Sequence, residues 1–281
     1  MGFLVNEYID YLKNQKKLSS STLQSYKKDI EQYIEYLDDM KCDVKKKTSK
    51  STIVMYLLYL KSSNKKTTTI SRKLASIRSF YQYLLSINLI SEDPTEYLES
   101  PKIEKKKPEI LTQSEIENLL NQPECTNQKG IRDKAMLELI CATGIRVSEL
   151  TSLNLEDINW DENIIYCGSD DTKRALWISN YVLKCLSNYI HNSRNGDQKE
   201  SALFLNIYGK RITRQGFWKI IKFYKNKASI EKDVTPHTLR HSLAVKLIKS
   251  GKNLKEIKNI LGFKDESSAN IYKNMRLAQL D

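Results

Sequence analysis

Residues 102–108, Lys-Ile-Glu-Lys-Lys-Lys-Pro, cannot belong to a hydrophobic core. Pro101 and Pro108 bracket a run of charge that neither a buried helix nor a central strand could carry. A chain interrupted this way must close on two cores. Its 281 residues are enough for both. The expected organisation is a domain over 1–101, a linker over 102–108 and a second domain over 109–281.

Both domains are basic. Residues 1–107 carry 20 basic and 13 acidic side chains, and residues 108–281 carry 26 and 21. The total of +12, with a pI near 9.2, is therefore not a tail on a neutral body. Such a charge suits a polyanionic partner, and two basic lobes suit a grip on a duplex from two sides. A generic lysine-rich soluble protein is the competing explanation of charge alone. Five cysteines, at 42, 125, 141, 167 and 185, include no C-x-x-C pair. The odd count and wide spacing argue against a disulfide frame or a zinc cluster and for a reducing compartment. No apolar run approaches the ~18 residues of a membrane span, and no secretory pattern opens the chain. The expectation is a cytoplasmic protein with no membrane segment.

The first domain reads as four helices. Phe3, Leu4, Ile9, Tyr11 and Leu12 open one, and Ser19 to Thr22 offer caps to the next. Tyr26, Ile30, Tyr33, Ile34 and Leu37 follow at helical spacing. A third helix covers roughly 50–61, and a fourth carries Ile70, Leu74, Ile77, Tyr81 and Leu84. The second domain starts with a capping box at Thr112 and Glu115. A buried helix over 131–142 stops at Thr143-Gly144, and another begins near Arg146. Ile164 to Tyr166 and Leu176 to Ile178 read as two short strands, and the chain from about 180 onward as helical.

Four segments carry possible chemistry. In Ala142-Thr143-Gly144-Ile145-Arg146-Val147-Ser148-Glu149-Leu150, Gly144 lets the chain turn and Arg146 arrives at a helix start, where anions are favoured. An ordinary surface arginine is the plain alternative. In Pro236-His237-Thr238-Leu239-Arg240-His241, the leucines face inward, while His237 and Arg240, three apart, share the other face. A planar guanidinium beside an imidazole can bind phosphate and exchange a proton. Zinc on His237 and His241 is a poor reading, because Thr238 stands where a zincin helix has Glu. Near the end, a helix stops at Gly262-Phe263, and a polar turn leads to Tyr272, 32 residues after Arg240. Finally, residues 208–227 hold Lys210, Arg211, Arg214, Lys219, Lys222, Lys225 and Lys227 with no acid. A helix from Thr213 would bury the interleaved aromatics and present a basic stripe to a groove or to phosphates.

Taken in order, these segments resemble the tyrosine recombinase, or phage integrase, family, and most closely its Xer branch. The A-T-G-x-R-x-S-E-L, H-x-L-R-H-S and L-G…I-Y segments match in order and spacing. Thr68 to Tyr81 resembles part of the family's core-binding domain. The resemblance implies a mainly α fold: an N-terminal four-helix, SAM-like core-binding domain, and an α-rich catalytic domain with a small antiparallel sheet. It implies a site-specific DNA recombinase that cuts and rejoins DNA through a 3′-phosphotyrosyl intermediate, without metal, ATP or other cofactor. Arg146 and Arg240 would clamp the scissile phosphate, His237 would hold a proton, and Tyr272 would be the nucleophile. Lys210, Arg211, Arg214, Lys219 and Lys222 would contact DNA. The partner would be double-stranded DNA with a specific site, bound as a homo- or hetero-tetramer.

Two positions depart from the pattern. The family has His or Trp after the L-G pair, and this chain has Phe263. The family also places a lysine general acid in the hairpin turn, where Ser169 or Asp170 stands here. Lys173 is the nearest candidate for that role. These departures keep open a second reading, a DNA-binding relative with weak or no cleavage that serves as an accessory or partner subunit. A transcription regulator would leave the spacing of Arg146, His237, Arg240 and Tyr272 unexplained.

Overall fold

A computed structural model describes residues 2–42, 49–103, 108–168, 173–195 and 200–263. The chain forms two compact units, Met1–Lys106 and Lys107–Asp281.

The first unit is built from α1 (Gly2–Asn14), α2 (Ser20–Asp39), α3 (Lys50–Ser62) and α4 (Thr67–Ser86). Ser19 and Ser49 begin α2 and α3 by accepting the backbone N–H of Thr22 and Thr52, which offsets donors that the first turn cannot pair. The apolar stripes then meet in one core, with Ile30, Leu37, Ile53, Leu74, Ile77 and Phe80 inaccessible to solvent. Tyrosines tie the helices together: the Tyr33 and Tyr56 rings lie 5.0 Å apart, and the Tyr33 and Tyr81 hydroxyls are 3.1 Å apart. In α1 the buried face is Leu4, Val5, Tyr8 and Leu12, while Phe3 points to solvent. That face is one position off the expected one. Lys73 is also buried, its ammonium 3.3 Å from the buried Asp29 carboxylate, which accepts from Ser76 as well. Burial pulls the Lys73 pKa down against the opposing pull of Asp29.

The second unit contains α5 (Gln113–Leu120), α6 (Gln128–Thr143), α7 (Val147–Ser152), β1 (Ile158–Asn159), β2 (Ile164–Cys167), β3 (Arg174–Trp177), α8 (Asn180–Asn192), α9 (Arg214–Lys227), α10 (Pro236–Lys249) and α11 (Leu254–Leu261). The capping box of Thr112 and Glu115 starts α5. Helix α6 is nearly all buried, with Met136, Leu137, Leu139 and Ile140 fully enclosed, and it packs against α8 and α10. The antiparallel sheet runs β1-β2-β3, with Ile165 opposite Leu176 facing the core. The two-residue β1 adds a strand to the two expected.

The chain is not helical throughout after residue 180. Residues 200–213 form a bridged segment, with Ala202 paired to Asn154 and Leu205 to Arg211. The Asn206 side chain accepts the N–H groups of Tyr208 and Lys210, and Gly209 adopts φ +70°, a turn no helix could contain. Among the described residues, no helix is long and apolar enough to cross a membrane.

Candidate active site

The site is assembled around the turn that ends α6. Gly144 caps that helix at φ +61°, in the left-handed region. A Cβ there would lie 2.5 Å from Leu261, so the glycine also lets α11 approach. The reversal delivers Arg146 as the cap of α7, where Glu149 accepts both its backbone N–H and its Nη1–H at 2.8 Å. The other terminal nitrogen of Arg146 donates to the Gly262 carbonyl at the end of α11.

Helix α10 supplies the second guanidinium. Thr235 caps it and Pro236 pre-sets its first turn. Leu239 and Leu243 pack inward, as spacing predicts. Arg240 is not on a solvated face, however: it is 5% exposed. The cause is α11, which covers that side of α10. Arg240 donates to the carbonyls of Gly144 and Leu261, and its guanidinium sits 4.8 Å from the centre of the Phe263 ring. His237 remains exposed, and its ring is 6.4 Å from that of His241. Burial first, then His237 and Arg240, push the His241 pKa down, which favours its neutral form.

Arg146, Arg240 and His237 meet along one cleft of about 230 Å³, together with Ser148, Arg214 and Trp218. Arg214 and Trp218 also line a wider groove of about 510 Å³ that continues along α9 past Lys219 and Lys222. Thr213 caps α9, while Phe217, Ile221 and Tyr224 fix its inner face. Tyr224 donates to the fully buried Asp133, whose carboxylate also takes two bonds from Arg132. Arg214, Trp218 and Lys222, four apart, form an outward stripe. Trp218 and Phe223 are on the outer side of the helix and are not buried with the other aromatics.

Lys210 is exposed, whereas Arg211 is turned inward. The Arg211 guanidinium donates to the carbonyls of Thr151 and Leu153 and to the Asn154 side chain, anchoring the bridged segment. Its grouping with the outward cations therefore does not fit its position. Lys173 is exposed, its ammonium 5.5 Å from the Tyr166 ring, and it does not line the cleft. Ser169, Asp170 and Tyr272 lie outside the described residues.

Two contributors escaped the sequence reading. Arg174 on β3 donates twice to Glu149, at 2.8 and 3.1 Å, so this carboxylate is shared by two guanidiniums. Periodicity could not show this pairing, because the partners are 25 residues apart. By residue type Trp218 reads as core, yet it faces the cleft. With Arg146 and Arg174 sharing one acid and Arg240 bonded to main-chain carbonyls nearby, the neighbourhood keeps an excess of positive charge. An anion with several oxygens matches it best.

Known proteins resemble this chain over both of its units. Residues 109–278 match the model of the phage integrase family, and residues 5–87 match that of the phage integrase N-terminal SAM-like domain. The tyrosine recombinase XerD of Oceanobacillus iheyensis is 39% identical, with 100% of this chain and 96% of the relative covered. The tyrosine recombinase XerC of Herpetosiphon aurantiacus is 37% identical, covering 96% and 90%. Among solved structures, the XerH site-specific recombinase bound to a palindromic difH substrate superposes with a TM-score of 0.79 at 18% identity. That match covers 98% of this chain and 82% of the other.

Proposed function

This chain belongs to the phage integrase family and is a tyrosine site-specific recombinase, and we propose how its own residues carry out the reaction. Arg146 and Arg240 bind the non-bridging oxygens of a scissile phosphate and stabilise the charge that accumulates on the pentavalent transition state. The Tyr272 phenol oxygen attacks phosphorus as His237 holds the phenolic proton. The bond from phosphorus to the 5′ oxygen breaks, leaving a 3′-phosphotyrosyl link and a 5′-hydroxyl. A 5′-hydroxyl from another strand then attacks the link and restores tyrosine. One phosphodiester is exchanged for another, so no nucleotide cofactor is needed. The observation that carries this reading is the convergence of Arg146, Arg240 and His237 on one cleft that opens into the basic groove of α9.

The proposed partner is duplex DNA with a specific site. Two duplexes present four strands and each protomer holds one Tyr272, so four protomers, of this chain or of this chain and a relative, act together. The first unit serves as a second DNA-binding domain. The work takes place in the cytoplasm, in keeping with five cysteines that are all free.

The decisive experiment uses a nicked duplex carrying a site that the protein itself has selected from a randomised pool. An SDS-resistant protein–DNA band is expected. Its absence would leave binding without chemistry.

The outward cations define a further expectation. Lys210, Arg214, Lys219 and Lys222 lie toward solvent, so binding releases counterions and the affinity falls steeply with salt. Replacing Lys219 and Lys222 together by Ala should flatten the plot of log affinity against log salt by about two contacts, or ~1.8 in slope. An unchanged slope would remove α9 from the interface.

Lys173 is the proposed proton donor to the departing 5′ oxygen, reaching the phosphate once DNA is bound. Lys173→Ala should then block cleavage of an ordinary strand but spare a substrate with a 5′-thiol leaving group, which departs without a proton. Equal rates on the ordinary strand for the variant and the parent would assign the acid elsewhere.

A further inference from the structure

Phe263 stands where relatives would offer a polar donor to the phosphate, and its ring can make no such bond. What the ring does instead is visible from its neighbour. The Arg240 guanidinium lies 4.8 Å from the ring centre, with the arginine 5% exposed. The phenyl ring carries no oxygen or nitrogen acceptor, so it takes up none of the guanidinium N–H groups in ordinary hydrogen bonds. The aromatic face is electron-rich, and its attraction for a cation is strongest where water is excluded. A saturated side chain could fill the same volume without that attraction.

The adjoining residue serves the other guanidinium. Gly262 accepts from Arg146 through its carbonyl, and a Cβ on it would lie 2.6 Å from Arg174. The end of α11 therefore touches three of the arginines near the cleft: Arg146 and Arg174 at Gly262, Arg240 at Leu261 and Phe263.

We propose that Phe263 is a positioning residue for strand cleavage, its ring face holding the Arg240 guanidinium in the plane that meets the scissile phosphate. In place of a donor to the phosphate, this chain has a platform beneath the donor it already has. The inference rests on the recombinase chemistry proposed above, in which Arg240 binds that phosphate.

The test lowers the ring's electron density at constant shape. Phenylalanine with one, two or three ring fluorines is placed at position 263, alongside Phe263→Leu. Each protein is assayed in a single turnover for covalent complex on the nicked, self-selected duplex with a 5′-thiol leaving group. The rate should fall stepwise with each fluorine. For Phe263→Leu it should fall roughly threefold to thirtyfold, while Kd for the duplex and Tm stay near the parent values. A flat rate across the fluorinated series overturns the inference even if Phe263→Leu is slow, because shape alone would then account for the ring. Absence of a covalent band from the parent protein overturns the cleavage reading, and this inference with it. A flat series beside a strong parent band overturns this inference alone.

Discussion

Tyr272→Phe should leave binding to the selected site intact and eliminate the SDS-resistant complex. The substitution removes one oxygen and keeps the ring, so packing is preserved while the atom that would bond to phosphorus is gone. No compensation from Arg146, Arg240 or His237 is expected, since the role proposed for these groups is to stabilise a transition state that can no longer form. The chain has 16 tyrosines, so the experiment also discriminates among nucleophiles. A covalent band that survives Tyr272→Phe assigns the attack to a different residue. Loss of binding together with the band would mean that the phenol contributes to docking.

Arg240→Ala should slow cleavage by on the order of 10²-fold or more, comparable to deleting a preorganised donor at an oxyanion. Two effects must be separated. The guanidinium is bonded to the carbonyls of Gly144 and Leu261, so its removal also leaves buried acceptors unpaired, at about 1–3 kcal/mol each. Tm should therefore fall. The rate is accordingly measured in a single turnover with DNA in excess, at a temperature where the variant remains folded by circular dichroism. A loss of rate that persists under those conditions belongs to the transition state. Arg240→Lys supplies the complementary comparison. It keeps the charge but not the planar fork, and it should remain well below the parent rate. A folded Arg240→Ala protein that cleaves at the parent rate would reduce Arg240 to a structural role.

Much of the site was legible because punctuation residues mark it. Gly144 and Gly262 both read as helix stops, and both adopt the left-handed conformation that favours glycine, at φ +61° and +64°. The cap at Thr112 and the strands after Ile164 and before Ile178 were similarly visible from turn chemistry and β-branched residues. The burial of Arg240 was not. Spacing along α10 separates leucines from charges, but it cannot reveal that α11 covers the charged side as well. The same limit hid the exposure of Trp218, since residue type alone favours the interior. The strand β1 is two residues long, too short for any periodicity. The inward turn of Arg211 depends on carbonyls from α7 and the loop after it, almost 60 positions earlier in the chain. The burial of Arg240 and the inward turn of Arg211 are contacts between elements distant in sequence, where local pattern is silent.

The acceptors that hold Arg146 and Arg240 have a consequence for how this protein can vary. Among the described residues, those shown apart from Glu149 are main-chain oxygens of Gly144, Leu261 and Gly262. At Leu261 a point substitution changes a side chain and leaves the carbonyl in place, whereas a Cβ at Gly144 or Gly262 would clash in left-handed backbone. Genetic drift at Leu261 can therefore exchange one apolar group for another without deleting an acceptor. The vulnerable events are those that reroute the chain, such as a residue inserted or lost between 259 and 263. A library that mixes apolar substitutions at Leu261 with single-codon insertions between 259 and 263 would be expected to recover active clones from the first class and almost none from the second.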